Sequence, residues 1–530
     1  MAALDDFGLL ILAQATRKLR SQCPRMGICE ARLEPLVQSQ ISGERTTDTA
    51  KPTVGLRHWM ERVLEECNRA SSEFAADPVH DLRVALRRCR SMADGLMVID
   101  PSPSWKNMKR AAGRLFRSLG ALRDVQVMSE WVRRLGQEND PESTALLTLL
   151  GAKESEQKTL AAAALREFDV KQWRRWSRQL PLRAMRVKVG SQVFKHLALE
   201  RWTEAYELHR QALRNRSQVA FHRLRIGIKR LRYIVENFLP QQHEAWSSDL
   251  KELQDLLGEV HDLDVLWTTA QRVNAFAGAE SRFNWRARLQ TERSRRIARY
   301  RERMLGPKSL WRTWRAELPQ GDQIQAAAMA RMRLWASYLD PDVRHSRHVA
   351  ALARQLFDGL AKMGLADGQP RLRAMLAAAA LVHDVGLAKH DKNHHKISSR
   401  MIRKLVPPLG WSAEDLNMLA TIARFHRGAL PHARHKSYRG LMPEQRRTAT
   451  LLAAILRFAD AFDDTHDGRV HSVRLEEKDG FLLVSAAGYA PLTRTGQDVA
   501  AARHLLEIVM RKPILVRPLR QPVRSKNRTR

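Results

Sequence analysis

The chain reads as mainly all-α: a pseudo-symmetric duplicated helical bundle, then a second all-α domain, closed by a small α+β appendix. Three observations predict this. Helix-period patterns follow one another from about residue 55 to 315, with few β-branched alternations and with breaks at the PSPSW, NDPES and LPQQ segments. Within that region VHDLRVALRRCR recurs as FHRLRIGIKRLR. Beyond Asp467-Gly468, VHSVRLEE and GFLLVSAAG alternate apolar and polar residues around Lys478-Asp479-Gly480, a hairpin signal, and a helix follows from about 496 to 511.

Taken in order, residues 1–50 form an N-terminal segment ending in the polar linker SGERTTDTAKPT. Its apolar run from Phe7 to Ala13 follows Asp5 and Asp6, lacks a basic leader, and is shorter than a membrane span of about 20 residues, so no membrane insertion is expected. The duplicated helical domain is expected over 51–318. LPQGD marks a boundary, and the second helical domain follows over 325–467. The appendix takes 468–519, and QPVRSKNRTR closes the chain as a basic tail, 520–530.

A chain of 530 residues with 44% hydrophobic and 28% charged residues can bury several cores, which argues against disorder. Its 91 Lys and Arg exceed its 57 Asp and Glu by 34, an imbalance that points to a polyanionic partner. Cysteines at 23, 29, 67 and 89 form no CxxC pair and no dense framework, so reduced thiols and a cytoplasmic location are expected.

The repeat carries the charge in register. Val79–Arg90 matches Phe221–Arg232 at an offset of 142, and LGALRDVQVM from Leu119 matches LGEVHDLDVL from Leu257 at an offset of 138. His80, Arg83, Arg87 and Arg90 correspond to His222, Arg225, Lys229 and Arg232. At about 100° per residue each set spans an arc of about 80°, one helix face. Like charges four apart cost a few tenths of a kcal/mol per pair, so two matched stripes imply an anion that offsets the repulsion. A lone arginine stripe is more often a solvated face; its duplication, histidine included, favours a groove for a chain of phosphates. Arg123-Asp124, and His261-Asp262 with Asp264, are of the residue types that position basic side chains, with helix packing or capping as an equal alternative.

These features resemble the CHAD family, the conserved-histidine α-helical domains, whose halves each carry a basic His-x-x-Arg helix and a later Leu-Gly-x-x-(Arg/His)-Asp element. The resemblance covers about 55 to 315. It implies binding of inorganic polyphosphate through His80, Arg83, Arg87, Arg90, His222, Arg225, Lys229 and Arg232, with polyphosphate granules as an associated location. Lys171 to Tyr233 adds a broad positive field, 17 Lys and Arg against 3 Glu.

The second half is marked instead by imidazole and carboxylate: His345, His383-Asp384 after an apolar run, His394-His395, His426 and Asp460. A mixed N/O set without thiolate favours Mn, Mg, Fe, Co or Ni over structural zinc, and Gly386 is expected to let the chain turn so that His383 and Asp384 reach one centre. Singly, each such residue is more often packed or surface-exposed than a ligand. The ordered set resembles the HD superfamily of metal-dependent phosphohydrolases, with His345, His383, Asp384 and Asp460 in its motif positions. RHSRHVAALARQLFD, LAAAALVHDVG, HHKISS, IARFHR and LLAAILRFADAFD are similar to the C-terminal region of the exopolyphosphatase and guanosine-pentaphosphate phosphohydrolase family, over about 325 to 515. The resemblance implies His383 and Asp384 as the catalytic pair and a divalent metal on His345, His383, Asp384 and Asp460, with His395 and His426 for a second ion. His394 is the lesser alternative to its neighbour. The actin-like, glycine-rich domains of that family have no counterpart in this sequence, so any hydrolysis has to come from the metal centre. Arg347, Lys389, Lys396, Arg427 and Arg457 are candidates to neutralise phosphate.

The expected function is therefore polyphosphate binding joined to a candidate metal-dependent HD phosphohydrolase acting on polyphosphate or a phosphorylated nucleotide. A non-catalytic polyphosphate scaffold is the alternative. Nucleic-acid binding, suggested by the charge and by Trp173, Trp176, Trp202, Trp311 and Trp314, ranks lower because no nucleic-acid motif accompanies them.

Overall fold

The computed structural model describes residues 55–519, apart from 73, 75, 138, 139, 274, 275 and 277. The expectations for residues 1–50, for Cys23 and Cys29, and for the basic tail lie outside the described residues. Cys67 and Cys89 are free thiols, both buried.

Ten helices build the first part: α1 Leu56–Ser72, α2 Ala76–Leu96, α3 Pro103–Leu135, α4 Pro141–Arg166, α5 Val170–Ala184, α6 Gln192–Asn215, α7 Gln218–Phe238, α8 Pro240–Arg272, α9 Ala279–Met304 and α10 Leu310–Ala316. The duplication read from residue identities is repeated in lengths. α2, α3 and α4 run 21, 33 and 26 residues, and α7, α8 and α9 run 21, 33 and 26 again. Each long helix starts on a proline, Pro103 or Pro240, where the missing N–H has no intrahelical partner to lose. The far ends of α3 and α8 build a small core of their own, in which Val125 and Met128 take the same places as Leu263 and Leu266.

The two repeats meet through α2 and α7 and through α3 and α8. Gly95 lets α2 approach α7 closely, because a Cβ there would stand 2.5 Å from the Phe238 ring. Arg88 Nη2 pairs with Glu236 Oε1 at 2.6 Å, and the buried Asn237 donates from Nδ2 to Ser91 Oγ at 2.9 Å. An Asn237→Ala change would leave polar groups unpaired in this contact and cost about 1–3 kcal/mol.

The second part holds α11 Asp322–Ser337, α12 Val343–Lys362, α13 Pro370–Val382, a 3-10 turn Val385–Ala388, α14 His394–Ile402, α15 Ala413–Arg424, α16 Lys436–Arg439 and α17 Pro443–Ala461. After an exposed first turn with Arg371 and Arg373, α13 is apolar all round; Met375 through Val382 are buried, as expected of a central helix. α12 is amphipathic, and Val349, Leu352, Leu356 and Leu360 face the core, so Leu356→Ala would cost about 2–5 kcal/mol. The appendix contains the expected hairpin, β1 Ser472–Lys478 and β2 Phe481–Ala487, then α18 Arg494–Met510. Asp479 and Gly480 both have positive φ, 50° and 82°, as a two-residue hairpin turn requires. A third strand not expected from the sequence, β3 Ile514–Pro518, pairs parallel to β2 in the order β1-β2-β3.

The LPQGD segment is where the hydrophobic cores divide: Leu318 belongs to the first, and Met332 on α11 begins the second. Side chains bridge the two parts. Glu200 Oε1 accepts from Arg331 at 2.7 Å and from the Leu409 N–H at 3.0 Å, and the fully buried His196 bonds Leu409 O at 3.0 Å. Among the described residues no helix is long and apolar enough to cross a membrane.

Candidate functional site

The repeat stripes lie on α2 and α7, the helices through which the repeats touch. On α2, Arg83, Arg87 and Arg90 are half-buried and His80, at the outer end, is exposed; on α7, His222, Arg225, Lys229 and Arg232 are all half-buried. Apolar residues on the opposite faces, Leu82, Leu86, Leu224, Ile228 and Leu231, sink into the core and set which way the stripes point. The two ladders face each other. Burial and the charges of Arg225, Arg87, Arg90 and Arg232 together push the Lys229 ammonium down to about 8, and Arg87 and Arg90 belong to the other repeat. Burial, opposed by Arg83 and by Arg225 and Lys229 across the groove, raises the Asp124 carboxyl above the usual range.

The Leu-Gly element explains how the arginines fit. Arg83 lies 3.8 Å from where a Cβ on Gly120 would stand, and Arg225 takes the same place, 4.0 Å, over Gly258. Arg83 donates to Leu119 O. The guanidinium groups of Arg83 and Arg90 sit 5.5 and 4.7 Å from the Phe116 ring centre, a partner that sequence reading missed. Of the eight stripe residues, Arg232 alone has a carboxylate within 4 Å among the described residues, Glu236 at 3.8 Å. His80, Arg83 and Arg87 line a cleft of about 560 Å³ with Phe116, Arg123 and Lys158. Asp264 serves packing, accepting from Arg293 at 2.9 Å, and His261 Nδ1 lies 3.2 Å from His222 Nδ1.

In the second part, α12 delivers His345, the end of α13 delivers His383-Asp384, α14 begins with His394, the segment after α15 carries His426, and α17 carries Asp460. Their donor atoms converge. His345 Nε2 lies 3.2 Å from Asp460 Oδ1 and 3.9 Å from Asp384 Oδ2. His383 Nε2 lies 3.3 Å from Asp460 Oδ1 and 3.5 Å from Asp384 Oδ2. On the other side, His394 Nε2 is 3.3 Å from Asp384 Oδ1 and 3.2 Å from His426 Nε2. Asp384 thus turns one oxygen to each group of imidazoles.

The donor set fits a divalent ion. Ligand atoms at about 2.1 Å from one ion stand roughly 3.0 to 3.4 Å apart, close to most of these separations. The buried Nε2 of His383 and Oδ1 of Asp384 have no hydrogen-bond partner among the described residues, an expensive condition that an ion would relieve. Every ring is also held from behind. The Nδ1 atoms of His383, His426 and His394 bond the carbonyls of Ala380, Ala423 and Asp391 at 2.8, 2.7 and 3.0 Å, and His345 Nδ1 bonds Asp463 Oδ2 at 2.8 Å. Such bonds hold Nε2 toward the centre, the arrangement by which ligating histidines are oriented.

Electrostatics divide the cluster. Burial lowers the His345 imidazolium, but the hydrogen bonds it donates to Asp460 and Asp463 outweigh that and lift it to about 10. Burial and the neighbouring His383 push His426 down to about 3, so it is neutral near pH 7. Asp460 is held well below the usual carboxylate range by His345 and His383 despite its burial.

His394, rather than His395, joins the cluster. His395 points toward Gly428, its Nε2 3.1 Å from where a Cβ would stand there, and burial beside Arg424 lowers it to about 4. The reason is the start of α14: Asn393 adopts φ 63°, and the helix it opens turns successive side chains about 100° apart. Gly386 also acts differently from the expectation. The chain turns without a left-handed residue there, and a Cβ would instead collide with His394 O at 2.3 Å, so glycine permits α14 to approach. Asp463 was legible in principle, three residues after Asp460 on the same helical pattern. Of the phosphate-neutralising candidates, Arg427 bonds Asp460 Oδ2 at 3.1 Å, Arg457 bonds Gly428 O at 2.6 Å, and Arg347, Lys389 and Lys396 are exposed.

Comparison with known proteins finds two family matches. Residues 56–271 match the CHAD domain, and residues 332–488 match the Ppx/GppA phosphatase, domain III. The crystal structure of the CHAD domain from the plant Ricinus communis aligns at 21% identity and TM-score 0.35, covering 52% of this chain and 96% of that one. No curated protein matches. The chain therefore joins a CHAD domain to a region that matches domain III of the Ppx/GppA phosphatases.

Proposed function

We propose that the chain captures inorganic polyphosphate between its two repeats and carries, in the second part, a metal-dependent phosphohydrolase centre for phosphate chains or a phosphorylated nucleotide. Both family matches tie the chain to polyphosphate-related proteins. The observation that carries the reading is the pairing of opposed cation ladders, nearly free of carboxylate partners, with a separate buried His/Asp cluster in one chain. A linear polymer with a negative charge on every unit meets the first by distributed attraction.

The second supplies fixed donors. His345, His383, Asp384 and Asp460 would hold one divalent ion, and Asp384, His394 and His426 a second; ions so held polarise a phosphoryl oxygen and provide hydroxide near neutral pH. Asp463 keeps His345 oriented, and Arg427 fixes the second oxygen of Asp460. The match to domain III alone favours a second reading, a binding scaffold whose His/Asp cluster is structural.

The test is phosphate release by the purified protein with Mn²⁺, from polyphosphate and from guanosine and adenosine polyphosphates. Asp384→Ala is expected to abolish release while polymer capture stays unchanged. Release that persists in that variant removes the proposed role of the centre, and wild-type protein that binds metal without releasing phosphate supports the scaffold.

A further inference from the structure

A second cleft lies on the first part. It has a volume of about 510 Å³ and is formed by α6, the end of α9, α10 and the connection between them. Its size suits a nucleotide-sized ligand. It shares no residue with the stripes or with the His/Asp cluster.

One wall is an aromatic ladder on a single face of α6. Trp202 and Tyr206 stack at 5.1 Å and 9°, and Tyr206 and His209 continue at 6.0 Å and 24°. Trp311 closes the ladder edge-on, 85° to Trp202 and 77° to Tyr206. Polar groups on these walls lack partners. Trp311 is 2% exposed, and its indole N–H has no hydrogen-bond partner among the described residues. His209 lines the cleft and is 4% exposed, and its Nδ1 is taken by Tyr300 Oη at 2.8 Å, which leaves Nε2 as the ring's other nitrogen. Burial lowers that imidazole to about 4, so it is neutral and able to bond a heterocycle. Ser309, which lines the cleft, makes no side-chain cap bond to α10.

The lip is cationic. Arg312 is exposed, and Arg315, braced by Leu318 O and Pro319 O, lies 5.9 Å from the Trp202 ring centre. A cationic ligand is thereby disfavoured, because an arginine already occupies the position a cation would take over Trp202. A flat, uncharged heterocycle joined to phosphate suits both halves of the cleft: the aromatic wall offers a base a flat, largely apolar surface, and arginine binds phosphate oxygens.

We propose that this cleft is a nucleotide site, taking a purine nucleotide with its base against the Trp202, Tyr206, His209 and Trp311 wall and its phosphates at Arg312 and Arg315. The site is distinct from any nucleotide substrate at the His/Asp cluster. The test is calorimetric titration of the full chain, in EDTA to silence that cluster, with ATP, GTP, UTP, adenosine and tripolyphosphate. In Arg87→Glu/Lys229→Glu protein, whose polyphosphate groove is disabled, ATP or GTP is expected to bind saturably at one site per chain and more tightly than UTP or tripolyphosphate. Ala316→Trp, at an exposed position lining the cleft, is expected to fill it and remove binding. Arg312→Glu is expected to weaken ATP about tenfold while leaving adenosine nearly unchanged. The proposal is overturned if no nucleotide binds saturably below about 1 mM. Undiminished ATP binding in Ala316→Trp, or binding that tripolyphosphate matches and the groove variant loses, overturns it equally.

Discussion

The groove and the His/Asp cluster use charge in opposite ways. In the groove, cations are half-buried, gathered against one another and left almost without carboxylates; in the cluster, each carboxylate is buried against imidazoles that are themselves pinned by backbone or carboxylate oxygens. The first arrangement gathers like charges whose repulsion an anion relieves. The second stores fixed donor geometry, which suits a small ion and one reacting centre. Under the proposed function the difference teaches that a polymer is held by summed field, whereas a reaction needs position.

The comparison breaks most sharply at Asp384. Asp384→Ala is expected to reduce metal-dependent phosphate release to background and to leave polyphosphate affinity unchanged, measured on one preparation by phosphate assay and equilibrium binding. Next in size, Arg87→Glu/Lys229→Glu is expected to weaken polyphosphate binding about 100-fold and to flatten its log–log salt slope by roughly two, without changing metal content. Asp463→Asn sharpens the cluster side: loss of the carboxylate behind His345 is expected to lower metal affinity about 10- to 100-fold, read by competition with a metal indicator.

The smallest effect concerns pH. Lys229 titrates near 8 in the free groove, against 10.5 for an ordinary lysine. A bound polyanion favours its charged form, so polymer affinity is full below about pH 8 and falls as pH rises through it. Stability of the free protein moves the other way, rising between about pH 8 and 10.5, because there the unfolded chain binds more protons. Lys229→Arg is expected to remove the step in affinity, and a titration of binding against pH in both proteins checks it.

The repeats differ in an informative place. His222 packs against His261, which burial beside Arg225 lowers to about 4, whereas the equivalent pair in the first repeat is an exposed His80 and Arg123. The first half of the groove is therefore the more open and the more cationic at neutral pH.

Much of this was legible in the chain. The duplication, the two stripes and the His, His-Asp, Asp order appear as identities at fixed offsets, because a helix converts offset into direction. The Asp479-Gly480 hairpin was legible for the same kind of reason: few residues accept two positive φ angles in succession. β3 was not, since Ile514–Pro518 is five residues long and becomes a strand through its pairing with β2. His394 and His395 were indistinguishable by type and separated by one position, and the way α14 starts at Asn393 decides which faces Asp384.

Residue identity and spacing alone determined the helical class, the net charge of 34, the repeat and the chemistry of the donor set. Tertiary structure decided that the two stripes oppose each other, that Asp384 divides its oxygens between two imidazole groups, and that an aromatic ladder borders an open cleft. Those are relations between segments distant in sequence, set by how helices pack, and helix periodicity orients a side chain only about its own axis.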